Sequence, residues 1–241
     1  MAGFVPVLIK KRKLQFKIWM IGIGVGLLIS CSSSEVETDF SRLGHDYFPM
    51  KVGSYRIYDI DETHYFLTGP QQRLYQLRES VVDSTIISDS EVLYTVHRET
   101  KESDEENWSL DSVWTASVST QRAIVTENNI PFIKMVFPIE NGLTWDGNSY
   151  NARIMDEYVY DNSLSDTSVM ENAYSELWTV IQSDEGENFL GRNDRMEIYA
   201  REVGLIIKNV HIWNYCQDCS SEKQIVAGRD LTQVLIEYGE D

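Results

Sequence analysis

Two cysteines near the carboxyl end have the spacing of a bridging or reactive pair. Cys216 and Cys219 are separated by Gln217 and Asp218. Two thiols at this spacing can form a disulfide, remain free, contact a metal ion, or act as a redox pair. Redox chemistry favours a first thiol at the start of a helix, where the helix dipole lowers its pKa. The surrounding sequence has no helical pattern, so redox chemistry is the least favoured of these interpretations.

The first thirty residues have the pattern of an export signal. Five of the 21 Lys and Arg residues lie between Lys10 and Lys17, and no acidic residue precedes Glu35. The uncharged apolar run Ile18–Ile29 follows. Its length fits the core of a signal peptide and falls short of the ~20 residues that span a bilayer. We predict a signal peptide over residues 1–30, and an uncleaved amino-terminal anchor helix is the alternative.

The end of this signal, Leu28-Ile29-Ser30-Cys31, resembles the lipobox of bacterial lipoproteins. The resemblance implies cleavage before Cys31, a diacylglycerol thioether on its sulfur, and a further acyl chain such as palmitate on its amino group. Each buried CH₂ contributes about 0.8 kcal/mol, so several chains hold a protein on a membrane essentially permanently. We therefore expect the membrane to be a partner through the lipid anchor at Cys31.

Export and cleavage set the charge and redox state of the remaining chain. Removal of residues 1–30 leaves 16 Lys and Arg against 38 Asp and Glu, a formal charge of −22. Nucleic acid is not an expected partner, because phosphates require cationic surfaces. In an oxidising compartment, a disulfide between Cys216 and Cys219 becomes the favoured interpretation. We assign residues 31–44 to the lipidated cysteine and an acidic linker, and residues 45–241 to a β domain.

The domain has the residue pattern of a mainly β protein. Short runs rich in β-branched and aromatic residues alternate with clusters of Gly, Asn, Asp and Ser. Short connections favour a single antiparallel, strongly curved sheet, which must form a half-barrel, barrel or sandwich to bury its apolar face. The polar segments 101–107 and 162–172 are predicted to be exposed loops.

The clearest predicted strand is Trp108–Val118, whose alternation predicts one buried face with Leu110 and Trp114 on it. The other predicted strands are Val52–Ile60, Tyr65–Thr68, Leu74–Ile87, Val92–Thr100, Gln121–Thr126, Phe132–Phe137, Ile154–Tyr160, Tyr174–Gln182, Met196–Arg201, Leu205–Tyr215 and Thr232–Tyr238.

Neither a catalytic site nor a metal site is predicted. The histidines His45, His64, His97 and His211 are scattered and lack the spacing that directs two imidazoles at one ion. There is no nucleophile elbow and no phosphate-binding glycine loop. The acidic clusters 104–106, 161–166 and 184–187 do not follow a calcium-loop pattern, so we expect solvated charge. The chain is therefore expected not to be an enzyme and to need no cofactor.

Aromatic residues make up 11% of the chain and could line a ligand groove or fill the core. Core packing is the favoured interpretation, and no ligand-binding residue is assigned. The candidates are Tyr55, Tyr58, Tyr65, Trp145, Tyr150, Tyr158, Tyr160, Trp178 and Trp213.

Four stretches of the mature chain form a recognisable pattern: Asp46–Tyr58, Phe137–Asn151, Glu197–Ile206 and a carboxyl-terminal region with Tyr215-Cys216, Cys219 and Leu235–Gly239. Together they resemble an uncharacterised family of Bacteroidetes lipoproteins. Arg56 stands where that family commonly has Trp, and the cysteine spacing is tighter. The resemblance implies a lipid-anchored location and a β fold, and it transfers no catalytic residue.

These observations predict an outer-membrane, lipid-anchored protein facing either the periplasm or the cell surface. Its expected role is non-catalytic binding or structural support in the envelope, with an unknown protein, glycan or lipid ligand. The alternative is a carrier of a lipid or other apolar molecule, which requires an apolar cavity of at least about 300 Å³. A glycan-cleaving enzyme would need two carboxylates facing each other across a cleft.

Overall fold

The computed structural model describes residues 40–169, 172–219 and 223–240. The predicted signal peptide and Cys31 lie outside these residues. Two short 3-10 helices, Phe40–Leu43 and His45–Tyr47, come first. The Ile139 amide donates to the Leu43 carbonyl at 3.1 Å. Folded structure therefore begins inside the stretch assigned to the linker, because backbone hydrogen bonds can anchor a segment that lacks apolar periodicity.

Fourteen strands form most of the described chain. They are β1 (Ser54–Phe66), β2 (Gly69–Ser88), β3 (Glu91–Lys101), β4 (Ser109–Ser119), β5 (Arg122–Glu127), β6 (Ile130–Val136), β7 (Thr144–Asp146), β8 (Glu157–Asp161), β9 (Asp166–Val169), β10 (Asn172–Ser175), β11 (Leu177–Glu187), β12 (Gly191–Ala200), β13 (Gly204–Tyr215) and β14 (Ile225–Glu240).

Twelve of these strands form one antiparallel sheet in the order β6-β5-β4-β3-β2-β1-β14-β13-β12-β11-β8-β7. Strands β9 and β10 pair separately. The sheet curves until its two edges nearly meet, so the prediction of a single, strongly curved antiparallel sheet is confirmed and the architecture is a nearly closed barrel. Alternation along β1 shows its two faces: Tyr58 and Ile60 are buried, whereas the Asp59 and Asp61 carboxylates accept hydrogen bonds from Gln76 and Gln72.

The seam between the sheet edges is closed by aromatic side chains and backbone groups. The Ile133 amide of β6 donates to the Gly147 carbonyl at 2.9 Å, and Trp145 Nε1 of β7 donates to the Ile133 carbonyl at 3.0 Å. The Tyr160 hydroxyl of β8 accepts from the Val136 amide at 3.0 Å and donates to the Val136 carbonyl at 2.9 Å. We refer to these five residues as the aromatic seam. It satisfies polar groups that an open sheet edge would leave without partners.

The structure corrects three features of the predicted strands. A β-bulge between the Arg98 and Glu99 pairings turns Leu110 to the opposite face from Trp114, and Leu110 is 55% exposed. The predicted strand Tyr65–Thr68 is the end of β1 and a turn. Ile154 precedes β8 and is 89% exposed.

The predicted exposed loop 162–172 is wrong in part, because it contains β9 and the start of β10. Val169 of β9 and Tyr174 of β10 are buried in one cluster with Leu177 and Ile198. The strands are short and polar, so their apolar alternation is too brief to be recognised in the sequence.

Candidate functional site

A cavity of about 100 Å³ lies inside the barrel, next to the segment Phe48–Met50 that precedes β1. Seven of its twenty lining residues are charged, and most of the others are apolar or aromatic. The lining includes Arg56, Tyr58, Glu79, Val96, Arg98, Trp114, Ala116, Glu127, Lys134, Glu197, Tyr199, Lys208 and Gln233.

Two lysines and two glutamates form a connected cluster in the wall of this cavity. Lys134 Nζ of β6 lies 2.7 Å from Glu127 Oε1 of β5 and 3.0 Å from Glu197 Oε1 of β12. Lys208 Nζ of β13 lies 3.1 Å from the same Glu197 oxygen. The Tyr199 hydroxyl donates to the other Glu197 oxygen at 2.8 Å. We call Glu127, Lys134, Glu197 and Lys208 the ionic cluster, and its formal charges cancel.

Electrostatics hold the buried members of the ionic cluster in their charged forms. Burial alone would raise the pKa of Glu197, but Lys134, Lys208 and the Tyr199 hydroxyl outweigh that effect and lower its pKa far below the ordinary value. Burial similarly opposes ionisation of Glu127, yet Lys134 and Lys208 lower its pKa to about 2. The two glutamates raise the pKa of Lys134 against the opposing effect of desolvation. These groups therefore do not exchange protons near neutral pH.

A second charged pair lies beside the ionic cluster. Arg98 Nε of β3 donates to Glu79 Oε1 of β2 at 2.9 Å. The Arg98 guanidinium carbon lies 3.6 Å from the centre of the Trp114 ring, within the range of a cation–π contact. The ring of Trp114 is thereby held in place, and its Nε1 is buried without a hydrogen-bond partner among the described residues.

Arg56 lies at the end of the cavity near Phe48–Met50 and bonds to backbone carbonyls. Its Nε donates to the Val203 carbonyl at 2.6 Å and its Nη2 to the Pro49 carbonyl at 2.8 Å. Gly204 leaves room for this guanidinium, because a Cβ at Gly204 would come within 3.1 Å of Arg56 Nη2. Arg56 supplies a positive charge to the wall of the cavity.

Most of the aromatic candidates named from the sequence are core residues. Tyr58, Trp145, Tyr158, Tyr160 and Trp213 are all buried, and Tyr58 is fully inaccessible. Trp145 and Tyr160 pack with ring centres 4.5 Å apart. In contrast, Tyr150 is 50% exposed and its hydroxyl accepts a hydrogen bond from Arg122. Of the nine candidates, Tyr58 is among the cavity-lining residues.

The histidines occupy separate places in the fold. His64 Nε2 lies 2.8 Å from Glu62, whose carboxylate also pairs with Arg229 at 2.6 Å. His211 Nδ1 lies 2.6 Å from Asp230 Oδ1. His45 stacks on Phe137. In the described ranges 40–169, 172–219 and 223–240, no group of three or more His, Cys, Asp or Glu side chains is arranged to hold a metal ion.

Cys216 and Cys219 are joined by a disulfide, with their Cα atoms 5.5 Å apart. The bridge lies just after β13, where the Cys216 amide also donates to the Gln224 carbonyl at 2.8 Å. By the chain-entropy model, so small a loop contributes roughly 2 kcal/mol. The bond restrains the connection between β13 and β14 and lies among exposed residues, away from the cavity lining.

Sequence reasoning did not identify any member of the ionic cluster. A usable signal was present, since Lys134 interrupts the apolar run Phe132–Phe137 and Glu197 is flanked by Met196 and Ile198. A single charge on the inward face of a strand requires a partner across the barrel. The partner itself can be identified once the strand order is known.

No protein-family model and no curated protein matches this sequence. Among solved structures, the chain is similar to a predicted exported protein with a YmcC-like fold from Bacteroides fragilis NCTC 9343. The TM-score is 0.44 and the identity 11%, over 80% of this chain and 99% of that chain. It is also similar to a predicted lipoprotein from Parabacteroides distasonis ATCC 8503, with a TM-score of 0.38 and 9% identity over 80% and 98% of the two chains. These similarities assign no function to this chain.

Within the part of the chain that the structure describes, no helix has the length and apolar character needed to cross a membrane.

Proposed function

We propose that this chain is an outer-membrane lipoprotein, anchored through Cys31, whose β domain has a non-catalytic binding or structural role in the cell envelope. The proposal of a non-catalytic role is supported by the pairing of the charged residues that line the cavity. Six of the seven charged residues lining the cavity are fixed in ion pairs.

Fixed ion pairs are poorly suited to acid–base catalysis. A general acid or base works best when its pKa lies near the operating pH. The pKa values of Glu127 and Glu197 are lowered and that of Lys134 is raised, so each moves away from neutrality. The arrangement therefore favours holding the barrel interior in one geometry over moving protons.

The carrier alternative fits the interior less well. It requires at least about 300 Å³ of apolar space, whereas the barrel cavity measures about 100 Å³ and has seven charged residues in its lining. An acyl chain in this cavity would lie against the ionic cluster. It would displace water from the charged groups without offering them a hydrogen bond, which is unfavourable. We therefore favour a role that does not involve a bulky apolar ligand.

Metabolic labelling with palmitate tests the anchor. The full-length protein should incorporate label, Cys31→Ala should abolish incorporation, and the Cys216→Ala/Cys219→Ala double variant should retain it as the matched cysteine control. Equal labelling of the Cys31→Ala protein would overturn the proposed anchor.

Extraction of non-covalent lipid tests the carrier alternative on the same purified lipoprotein. Organic solvent removes bound lipid but leaves thioether- and amide-linked chains attached. We expect far less than one lipid per protein after washing in lipid-free detergent. A stoichiometric, chemically uniform lipid would establish the carrier function instead.

A further inference from the structure

The charges that line the cavity do not balance. Four cations, Arg56, Arg98, Lys134 and Lys208, face three carboxylates, Glu79, Glu127 and Glu197. Arg98 pairs with Glu79, and the ionic cluster is neutral within itself. The remaining charge is that of Arg56, so the wall of the cavity carries one positive charge in excess.

Arg56 lacks an anionic partner in the described part of the chain. None of the ion pairs formed by residues 40–169, 172–219 and 223–240 includes it, and its two hydrogen bonds go to the neutral carbonyls of Val203 and Pro49. A guanidinium has five N–H donors in a fixed planar fork, so two carbonyls leave donor capacity unused. The guanidinium therefore has N–H groups available to an anion that enters the cavity.

A second donor without a partner belongs to Trp114, whose side chain is among those that line the same cavity. Trp114 Nε1 is buried without a partner among the described residues, and an indole N–H can only donate. Buried donors of this kind are rare in folded proteins and call for an acceptor. The side chain of Gln233, which is 5% exposed, lines the cavity as well and adds an amide that can donate or accept.

We propose that this cavity binds a small carboxylate monoanion, which accepts hydrogen bonds from Arg56 and Trp114 Nε1. The proposal rests on the proposed binding role and specifies the class of ligand. One excess positive charge matches one negative charge. The volume of about 100 Å³ is several times the roughly 10–15 Å³ of such space that one water molecule needs, so the cavity has room for an anion of acetate size.

The surrounding side chains restrict the length of such an anion. Tyr58, Val96 and Ala116 line the wall, and the segment Phe48–Met50 lies next to the cavity. The Pro49 carbonyl is held by Arg56, so the group that binds the anion also anchors the adjacent segment. We expect short acids to bind more tightly than acids with long alkyl chains.

Isothermal titration of the full-length lipoprotein in detergent with sodium acetate tests the proposal. We expect saturable binding of one acetate per protein at constant ionic strength. Acetamide has nearly the same shape without the charge and should not bind. Equal binding of acetamide, or no saturable heat with acetate, would overturn the proposal. Nitrate binding as tightly as acetate would also overturn it, because the site would then select monoanions in general.

Two variants separate the roles of the donors. Arg56→Met should weaken acetate binding at least about tenfold, because hydrogen bonds to a charged group are the strong ones. Trp114→Phe keeps a ring beneath Arg98, removes the N–H, and should weaken binding several-fold. Arg153→Met is the matched control, since Arg153 is exposed and outside the cavity lining, and it should bind acetate like the unmodified protein.

Circular dichroism first establishes that each variant is folded. If Arg56→Met is unfolded, Trp114→Phe decides, and unchanged affinity in a folded Trp114→Phe protein would contradict the assigned donor pair. Failure of acetate binding with normal palmitate labelling rejects this inference and leaves the proposed function standing. Loss of palmitate labelling with intact acetate binding rejects the proposed lipid anchor and leaves the inferred anion site standing.

Discussion

The ionic cluster and the aromatic seam hold the same barrel by different means. The seam joins the two sheet edges with ring packing and neutral hydrogen bonds between Trp145, Tyr160 and the β6 backbone. The ionic cluster joins β5, β6, β12 and β13 through the buried charges of Lys134 and Glu197 and the partly buried charges of Glu127 and Lys208. Neutral packing tolerates partial loss, whereas removal of one buried charge leaves others without partners. We therefore expect the domain to be more sensitive to the loss of a charged residue of the ionic cluster than to the loss of a hydroxyl of the aromatic seam.

The largest effect is expected from Glu197→Ala. Glu197 is 2% exposed and pairs with both Lys134 and Lys208. Its removal leaves two lysines short of a partner, and we expect the free energy of unfolding to fall by about 3–5 kcal/mol in urea titrations at pH 7. Glu140→Ala, an exposed acid, is the control. A loss no larger than that of the control would show that the ionic cluster is not a determinant of stability.

A double variant sharpens the same point. Lys134→Met with Glu197→Leu removes one charge of each sign. Among the described residues no direct ion pair joins the remaining Glu127 and Lys208, but their charges balance and Lys208 lowers the pKa of Glu127. We expect this protein to lose less stability than Glu197→Ala alone, because a buried pair replaced by apolar residues of similar size is often neutral or stabilising. A larger loss in the double variant would indicate that the charges themselves hold the fold.

A substitution in the aromatic seam should reduce stability less than one in the ionic cluster. Tyr160→Phe removes one hydroxyl that both accepts from and donates to Val136. We expect a loss of about 1–3 kcal/mol in the same urea titration, since two backbone groups lose their partner. Tyr150→Phe, which removes an exposed hydroxyl, should change stability by less than about 0.5 kcal/mol. Equal effects for the two tyrosines would contradict the assigned seam.

Acid should weaken the ionic cluster before it affects the seam. The folded-state pKa of Glu127 is lowered to about 2, so its contribution is present above the unfolded value of about 4.3 and is lost as pH falls toward the folded value. Between those values Glu127→Gln should reduce the pH dependence of unfolding by up to about 1.4 kcal/mol per pH unit. Stability curves measured from pH 6 to pH 2 check this, and parallel curves would contradict it.

The smallest change in stability is expected from breaking an ion pair at the protein surface. Arg73 Nε and Glu102 Oε1 lie 2.8 Å apart, but their side chains are 47% and 59% exposed. Water and salt screen such a pair, and Glu102→Ala should change the free energy of unfolding by less than about 1 kcal/mol. A loss approaching that of Glu197→Ala would show that distance, rather than burial, sets the strength of these pairs.

The presence of strands could be predicted from local alternation. The face of the sheet on which a side chain lies, and the position of the loops, depended on contacts with neighbouring strands. The run Val92–Thr100 lies within β3 and Leu205–Tyr215 within β13, as their residue types indicate. Leu110 was assigned to the wrong face because a bulge opposite Arg98 shifts the register, and the bulge has no marker in the strand itself. The strand β9 escaped recognition because its four residues, of which Val169 is the one apolar member, carry too little periodicity.

The candidate site was out of reach of sequence reasoning for a related reason. Lys134 and Glu197 are 63 residues apart in the chain, and the contact between them exists because the curved sheet brings β6 toward β12. Each charge alone looks like an isolated polar interruption of an apolar run. Strand order and sheet curvature determine which residues line the same interior wall. Neither can be predicted from a single stretch of the sequence.

The sequence by itself determined the mainly antiparallel β character and predicted a signal peptide over residues 1–30 followed by a lipidated Cys31, because both depend on local residue patterns. Tertiary structure decided that the sheet nearly closes, that its interior retains a cavity of about 100 Å³, and that Arg56 faces it without a carboxylate partner among the described residues. The physical reason is range: alternation and apolar runs act over a few neighbouring residues, whereas charge balance in a buried wall is summed over strands from the whole domain.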